Sequence, residues 1–189
     1  GRELLGAAAP EAAGPAAVGA GLLALGSGDT VHVWRLDALR DGHAPLKLGV
    51  SGTNGICAAA PVLALGARAE GGATLAIASI EQLAVWRLSA ATPLAPCGAA
   101  VATTLPPRAP PPRVAGLGRS ARRLALCCGS ECLVYTLAPS SDASPVLAHR
   151  IAVALSSQLS ACCFGGVADG SDLLLCAADD RSYAVWHVG

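Results

Sequence analysis

Four short β-patterned runs each close on an aromatic residue, at Trp34, Trp86, Tyr135 and Trp186, and the intervals between them are 52, 49 and 51 residues. A recurrence this regular marks one supersecondary unit copied in tandem, each copy burying its apolar face only against its neighbours. It fixes the architecture and leaves the function open.

Each copy has the same internal order: an apolar strand ending in small residues, a tight polar turn, then the strand that carries the aromatic. Residues 22–27 turn at Gly28-Asp29 into 30–36, and 74–79 turn at Glu81-Gln82 into 83–88. Residues 124–129 turn at Ser130-Glu131 into 132–137, and 173–178 turn at Asp179-Asp180 into 182–188. Short Gly, Asp and Ser loops between such runs favour hairpins. Two weaker strands fill the intervals, at 94–101 and 113–117 after Trp86 and at 146–153 and 159–164 after Tyr135. Four strands in about fifty residues make a propeller blade.

The chain here resembles the WD-repeat family of β-propellers over about residues 20–189, most closely in Gly26 to Trp34 and Ala177 to Trp186. The family's Trp is usually followed by Asp, whereas Arg35, Arg87, Thr136 and His187 follow the aromatics here, and Gly42-His43 lies in a different part of its repeat from the family's Gly-His pair. The resemblance implies an all-β fold: a propeller segment of about four four-stranded blades at 21–50, 51–101, 102–153 and 154–189. Residues 1–20, rich in Ala, Gly and Pro, are expected to be partly disordered or an incomplete blade with a strand near 16–18. In many propellers of the family an N-terminal strand completes the last blade, and this chain stops just after its fourth aromatic strand. The expectation is therefore the C-terminal half of a roughly seven-bladed ring, in a fragment or processed form that begins Gly1-Arg2-Glu3 without Met.

Thirteen basic residues balance thirteen acidic ones, so no global field draws the chain to nucleic acid or anionic lipid. Charged residues are 14% of the chain, against about a quarter in ordinary domains, which predicts a marginally stable piece or one with a large partner face. No stretch reaches the apolar length of a membrane helix, the longest candidate being residues 16–25. Six of the eight cysteines, Cys127, Cys128, Cys132, Cys162, Cys163 and Cys176, lie inside apolar strand runs, a pattern of buried free thiols in an intracellular protein.

Reactive constellations are weak. Gly19-Ala20-Gly21 matches a loose dinucleotide fingerprint, yet the following residues align with a strand rather than a helix. Asp29, Glu81, Glu131 and Asp180 recur before the aromatics; in the family an Asp in this turn orders the hairpin by bonding backbone groups, and Asp180 lies closest to that position. Neither the cysteine nor the histidine spacings form a paired zinc pattern, and Ser120 lacks a nucleophile-elbow context. Arg108, Arg113, Arg119, Arg122 and Arg123 form the one basic run, a candidate contact for phosphates or an acidic protein surface.

The sequence thus points to a non-catalytic scaffold that binds other proteins, without cofactor, metal, small-molecule substrate or membrane insertion. It is expected in the cytoplasm or nucleus rather than outside the cell. The alternatives are an RNA- or chromatin-associated subunit using the arginines, a ciliary or centriolar structural component, and a nucleotide-binding enzyme using Gly19 and Gly21.

Overall fold

The computed structural model describes residues 15–27, 30–39, 43–49, 62–68, 71–89, 91, 93–118, 121–139, 143–153, 157–166 and 171–188. The first sheet holds β1 (Ala16–Gly19), β2 (Leu22–Ser27), β3 (Thr30–Arg35) and β4 (Leu46–Gly49). The second holds β5 (Val62–Ala67), β6 (Ala73–Ala78), β7 (Gln82–Leu88) and β8 (Val101–Thr104). The third holds β9 (Pro112–Leu117), β10 (Arg123–Cys128), β11 (Glu131–Thr136) and β12 (Val146–Ala152). The fourth holds β13 (Leu159–Gly166), β14 (Asp172–Ala178) and β15 (Tyr183–Val188). Every sheet is an antiparallel meander in chain order, so each tandem copy is one blade.

Two readings need correction. The strand expected at 94–101 is not formed: only Pro96 bridges Leu88, because Pro93 and Pro96 lack a donor and Gly98 turns the chain at φ +101°. The outer strand of the second blade is β8, whose Val101 and Thr104 pair with Val85 and Gln82, so this blade runs past residue 101. At the other end, β1 lies within the segment read as residues 1–20 and pairs with β2 through Gly19↔Leu22. The two-residue loop between them, Ala20-Gly21, has φ of +53° and +72°, the left-handed pair of a type I′ hairpin turn.

Three apolar cores lie between the sheets rather than inside any one of them. Leu22, Val31 and Val33 of the first blade meet Leu75 and Ile77 of the second. Leu83 and Val85 on the other face of the second blade meet Leu124, Leu126 and Leu133 of the third. Val134 and Cys127 then meet Leu174 and Cys176 of the fourth. Strand burial records the same stacking: β6 and nearly all of β10 are buried residue by residue, whereas β2 and β15 alternate. A strand between two sheets buries both faces, and one with a single neighbour buries only alternate residues.

The aromatics keep one orientation. Trp86 packs into the core shared with the first blade, Tyr135 into that shared with the second, and Trp186 into that shared with the third. Each faces the blade before it. Trp34 alternates with the buried Val31 and Val33, and so turns to the outer face of the first blade, where it stacks on His32 at 5.8 Å.

The first strands of successive blades, β1, β5, β9 and β13, pack on one another and form the crowded inner side of the stack. Glycine makes this possible. A Cβ at Gly19 would lie 2.4 Å from the Leu65 carbonyl oxygen; at Gly66 it would meet the Leu117 side chain at 3.1 Å, and at Gly116 the Cys162 carbonyl at 3.2 Å. On β13 the corresponding Gly165 faces nothing within 4 Å.

Candidate functional site

At the end of the blades where β2 and β6 begin, the first and second blades diverge and leave a cleft. One pocket of ≈ 520 Å³ is walled by Val33, Pro45, Leu46, Pro93 and Leu94, with Arg35 and His43 beside it and Trp34 and Lys47, on the outer face with His32, at its rim. A second, of ≈ 400 Å³, shares Arg35 and Leu94 and continues to Ala20, Gly21, Gly72 and Ser89. Both fall within the size range of ligand and side-chain pockets. The local sequence builds the walls: β3 ends at Arg35, the chain turns through Leu36 to Ala38, and Pro45 leads into the edge strand β4.

Arg35 is fixed in this cleft by Asp37. Its Nε donates to Oδ1 at 3.0 Å and its Nη2 to Oδ2 at 2.6 Å. The hydrogen-bonded guanidinium holds the Asp37 carboxyl below its ordinary pKa, and Asp37 raises that of Arg35 in return. Lys47 is the only lysine of the chain and extends from the exposed edge of β4.

The arginine run is not one patch. Arg113 lies near the start of β9, where its Nη1 donates to Gln158 Oε1 at 2.7 Å and to Asp179 Oδ2 at 3.3 Å. Arg123 lies at the opposite end of the same strand pair, since β9 and β10 are antiparallel with Leu117 beside Leu124. There its Nη1 donates to the Val188 carbonyl at 2.7 Å, and Asp172 lies 3.5 Å from its Nε. The two arginines therefore tie the third blade to the fourth at both ends, about one strand length apart. Arg108 is exposed in the loop before β9 at φ +66°, and Arg122 is exposed beside Arg123. Arg119 and Ser120 lie outside the described residues.

Turn carboxylates take different parts. Asp180 Oδ1 accepts the Ser182 amide at 3.0 Å and also the Ser182 hydroxyl, closing the β14–β15 turn. In the second blade the corresponding bond comes from Ser79, whose Oγ accepts the Gln82 amide at 3.2 Å. Glu131 instead pairs with Arg150 on β12 at 2.8 Å. Asp29 lies outside the described residues. Gly19 and Gly21 belong to a strand and a hairpin turn leading into β2, so the strand-to-helix junction of a dinucleotide site is absent there.

Linear spacing concealed one cluster. The Sγ atoms of Cys127, Cys132 and Cys176 lie within 4.8 Å of one another, wholly buried between the third and fourth blades. Cys127 and Cys132 face each other across β10 and β11, and Cys176 arrives from the next blade. Hydrogen bonding to Cys127, with burial, pushes the Cys132 and Cys176 thiols upward in pKa, Cys176 to about 12. Cys132 and Cys176 are thus held protonated.

Three four-stranded meanders and, among the described residues, one three-stranded meander, stacked with their first strands innermost, define a β-propeller. The solved structures that the chain resembles have this fold. Kluyveromyces lactis Hsv2 is matched at a TM-score of 0.60 and 16% identity over 89% of this chain and 46% of that one. A second Kluyveromyces lactis Hsv2p structure is matched at 0.62 and 16% over 94% and 50%. KlAtg21, in its complex with the coiled-coil of AgAtg16, is matched at 0.63 and 11% over 92% and 51%. The chain thus spans about half the length of these propellers. No family model and no curated protein matches the sequence.

Proposed function

We propose that the chain is a non-catalytic, WD-repeat-like propeller scaffold in a multiprotein assembly, and that the cleft between its first two blades seats an acidic, apolar segment of a partner. The observation that carries this reading is the cleft itself, with walls of Val33, Leu46, Pro93 and Leu94, Arg35 and His43 beside them, and Lys47 at the rim. An apolar wall supplies affinity, and the Arg35 and Lys47 charges at its edge select carboxylates. The complex of KlAtg21 with a coiled-coil supports a helical segment as the partner element.

The reading includes an intracellular, reducing compartment, supported by the seven free cysteines among the described residues, four of them buried. The nucleic-acid alternative is weakened because Arg113 and Arg123 sit at opposite ends of the blade and are engaged with the fourth blade. A steep salt dependence of RNA binding, lost in an Arg119, Arg122 and Arg123 to Ala variant, would revive it.

Lys47 offers a direct test because it is the chain's only lysine. Carbodiimide coupling of the protein in its native complex, which activates a carboxylate and joins it to an amine as an amide, should when read by mass spectrometry place Lys47 against an acidic segment of one partner. Arg35→Glu with Leu94→Ala should release that partner while leaving the far-UV circular dichroism unchanged. Retention of the partner by that variant would refute the cleft as its seat.

A further inference from the structure

We propose that Cys127, Cys132 and Cys176 form a three-sulfur site for a soft, low-coordinate cation, copper(I), between the third and fourth blades. The geometry comes first. Three sulfurs arranged trigonally at about 2.3 Å from an ion lie about 4.0 Å apart, so a group already within 4.8 Å needs only a few tenths of an ångström of inward movement per sulfur. Fixed strands hold the three positions. Cys127 and Cys132 are directly opposed in one hairpin, and Cys176 is on the central strand of the next blade, paired on both sides.

The donor set selects the ion. All three ligands are sulfur, which favours soft cations over calcium or magnesium. Zinc in a closed site takes four ligands in a tetrahedron. A fourth sulfur is near in register, since Cys162 is opposite Cys176, but it packs 3.3 Å from the Cβ position of Gly116 and lies outside the group. The neighbouring core side chains are Ala125, Val134, Leu174 and Ala178, which offer no oxygen or nitrogen ligand. Three sulfurs in an apolar shell suit copper(I).

Charge sets the cost of the site, because an apolar core penalises a net charge strongly. Sulfur binds copper(I) as thiolate, so each of the three thiols that bonds the ion releases its proton to solvent, no electron is transferred, and the bound centre carries a net charge of −2. Because the sulfurs are wholly buried, the ion enters while the blades assemble or separate, and binding is linked to the stability of this interface.

The test uses the full chain with Cys57, Cys97 and Cys163 changed to Ser, which leaves the cluster intact and removes the two thiols exposed among the described residues, Cys97 and Cys163. Refolding with one equivalent of copper(I) under reducing, anaerobic conditions should give one ion per chain and a thiolate-to-copper charge-transfer band. Copper X-ray absorption should show three sulfurs at about 2.3 Å. Cys132→Ala should take the stoichiometry from one to zero. Cys128→Ala, which alters a buried thiol on the opposite face, should leave it at one. If Cys132→Ala fails to fold, Cys176→Ala and the absorption spectrum of the intact cluster decide. Absence of the band, a two-sulfur shell, or undiminished binding in a folded Cys132→Ala or Cys176→Ala chain would overturn the site.

Discussion

The two inner blades and the two outer ones have the same strand grammar but different surroundings. In the second and third blades both faces are closed, and the central strands β6 and β10 are buried almost throughout. In the first and fourth only one face is closed. The other exposes Val18 at 67% on the first blade, and Tyr183 at 70% and Val185 at 49% on the fourth. The same alternation therefore yields core on one side and open apolar surface on the other. What distinguishes them is the neighbouring sheet, not the strand. This is the expected behaviour of a quasi-one-dimensional stack, where stability resides in the interfaces between repeats.

The sharpest way to break this comparison is to truncate equivalent side chains on closed and open faces. Leu126→Ala or Leu75→Ala, both at 0% exposure, should cost about 2–5 kcal/mol in urea unfolding. Val185→Ala, on the open face, should stay within about 0.5 kcal/mol. Equal losses would mean that the fourth blade's outer face is covered in solution.

The inner-strand glycines provide the next contrast. Gly19→Ala drives a carbon to 2.4 Å from a backbone oxygen and should cost about 1–3 kcal/mol by separating β1 from β5. Gly165→Ala, facing open space, should be neutral or stabilising by up to about 1 kcal/mol through the unfolded chain. Thermal melts of the pair would measure the difference, and a destabilised Gly165→Ala would show that this face is packed.

Polar ties between blades should matter more than those within a blade. Arg123→Ala leaves the Val188 carbonyl and the half-buried Asp172 without their partner and should cost about 1–2 kcal/mol. Arg150→Ala removes a more exposed pair with Glu131 inside the third blade and should cost less than about 1 kcal/mol. A double-mutant cycle of Arg123 with Asp172 would isolate the inter-blade part.

The smallest effect concerns pH. Burial pushes the Tyr135 phenol up to about 12, so the folded chain keeps that proton after the unfolded chain has lost it. Its contribution is intact below pH 10 and is lost as pH rises from 10 toward 12, because the folded state binds more protons there. Tyr135→Phe removes a buried hydroxyl that has no hydrogen-bond partner. It should therefore flatten the alkaline fall in urea-unfolding free energy while changing neutral stability little.

The hairpins were legible because they are local. Period-two apolar runs separated by Gly, Asp and Ser turns placed β2 with β3 and β14 with β15, and the observed pairings Leu22↔Arg35 and Ala177↔Tyr183 follow that pattern. Strand 94–101 was misread because the apolar pattern outweighed Pro93, Pro96 and Gly98, whose backbones do not sustain a ladder. The glycines at 19, 66, 116 and 165 recur nearly as regularly as the aromatics, and they were the available signal for the inner strands. Proximity along the chain likewise suggested a single arginine patch, but an antiparallel strand between Arg113 and Arg123 carries them to opposite ends of the blade.

By itself the sequence determined the repeat, the hairpins and the all-β class, since strand period and turn chemistry are short-range properties of neighbouring residues. Tertiary structure decided which faces close, that Trp34 stays open while Trp86 and Tyr135 are covered by the preceding blade, where the cleft opens, and that Cys176 joins Cys127 and Cys132. Those outcomes depend on how one twisted sheet stacks on the next. The local pattern of a blade is the same whether or not a neighbour covers it.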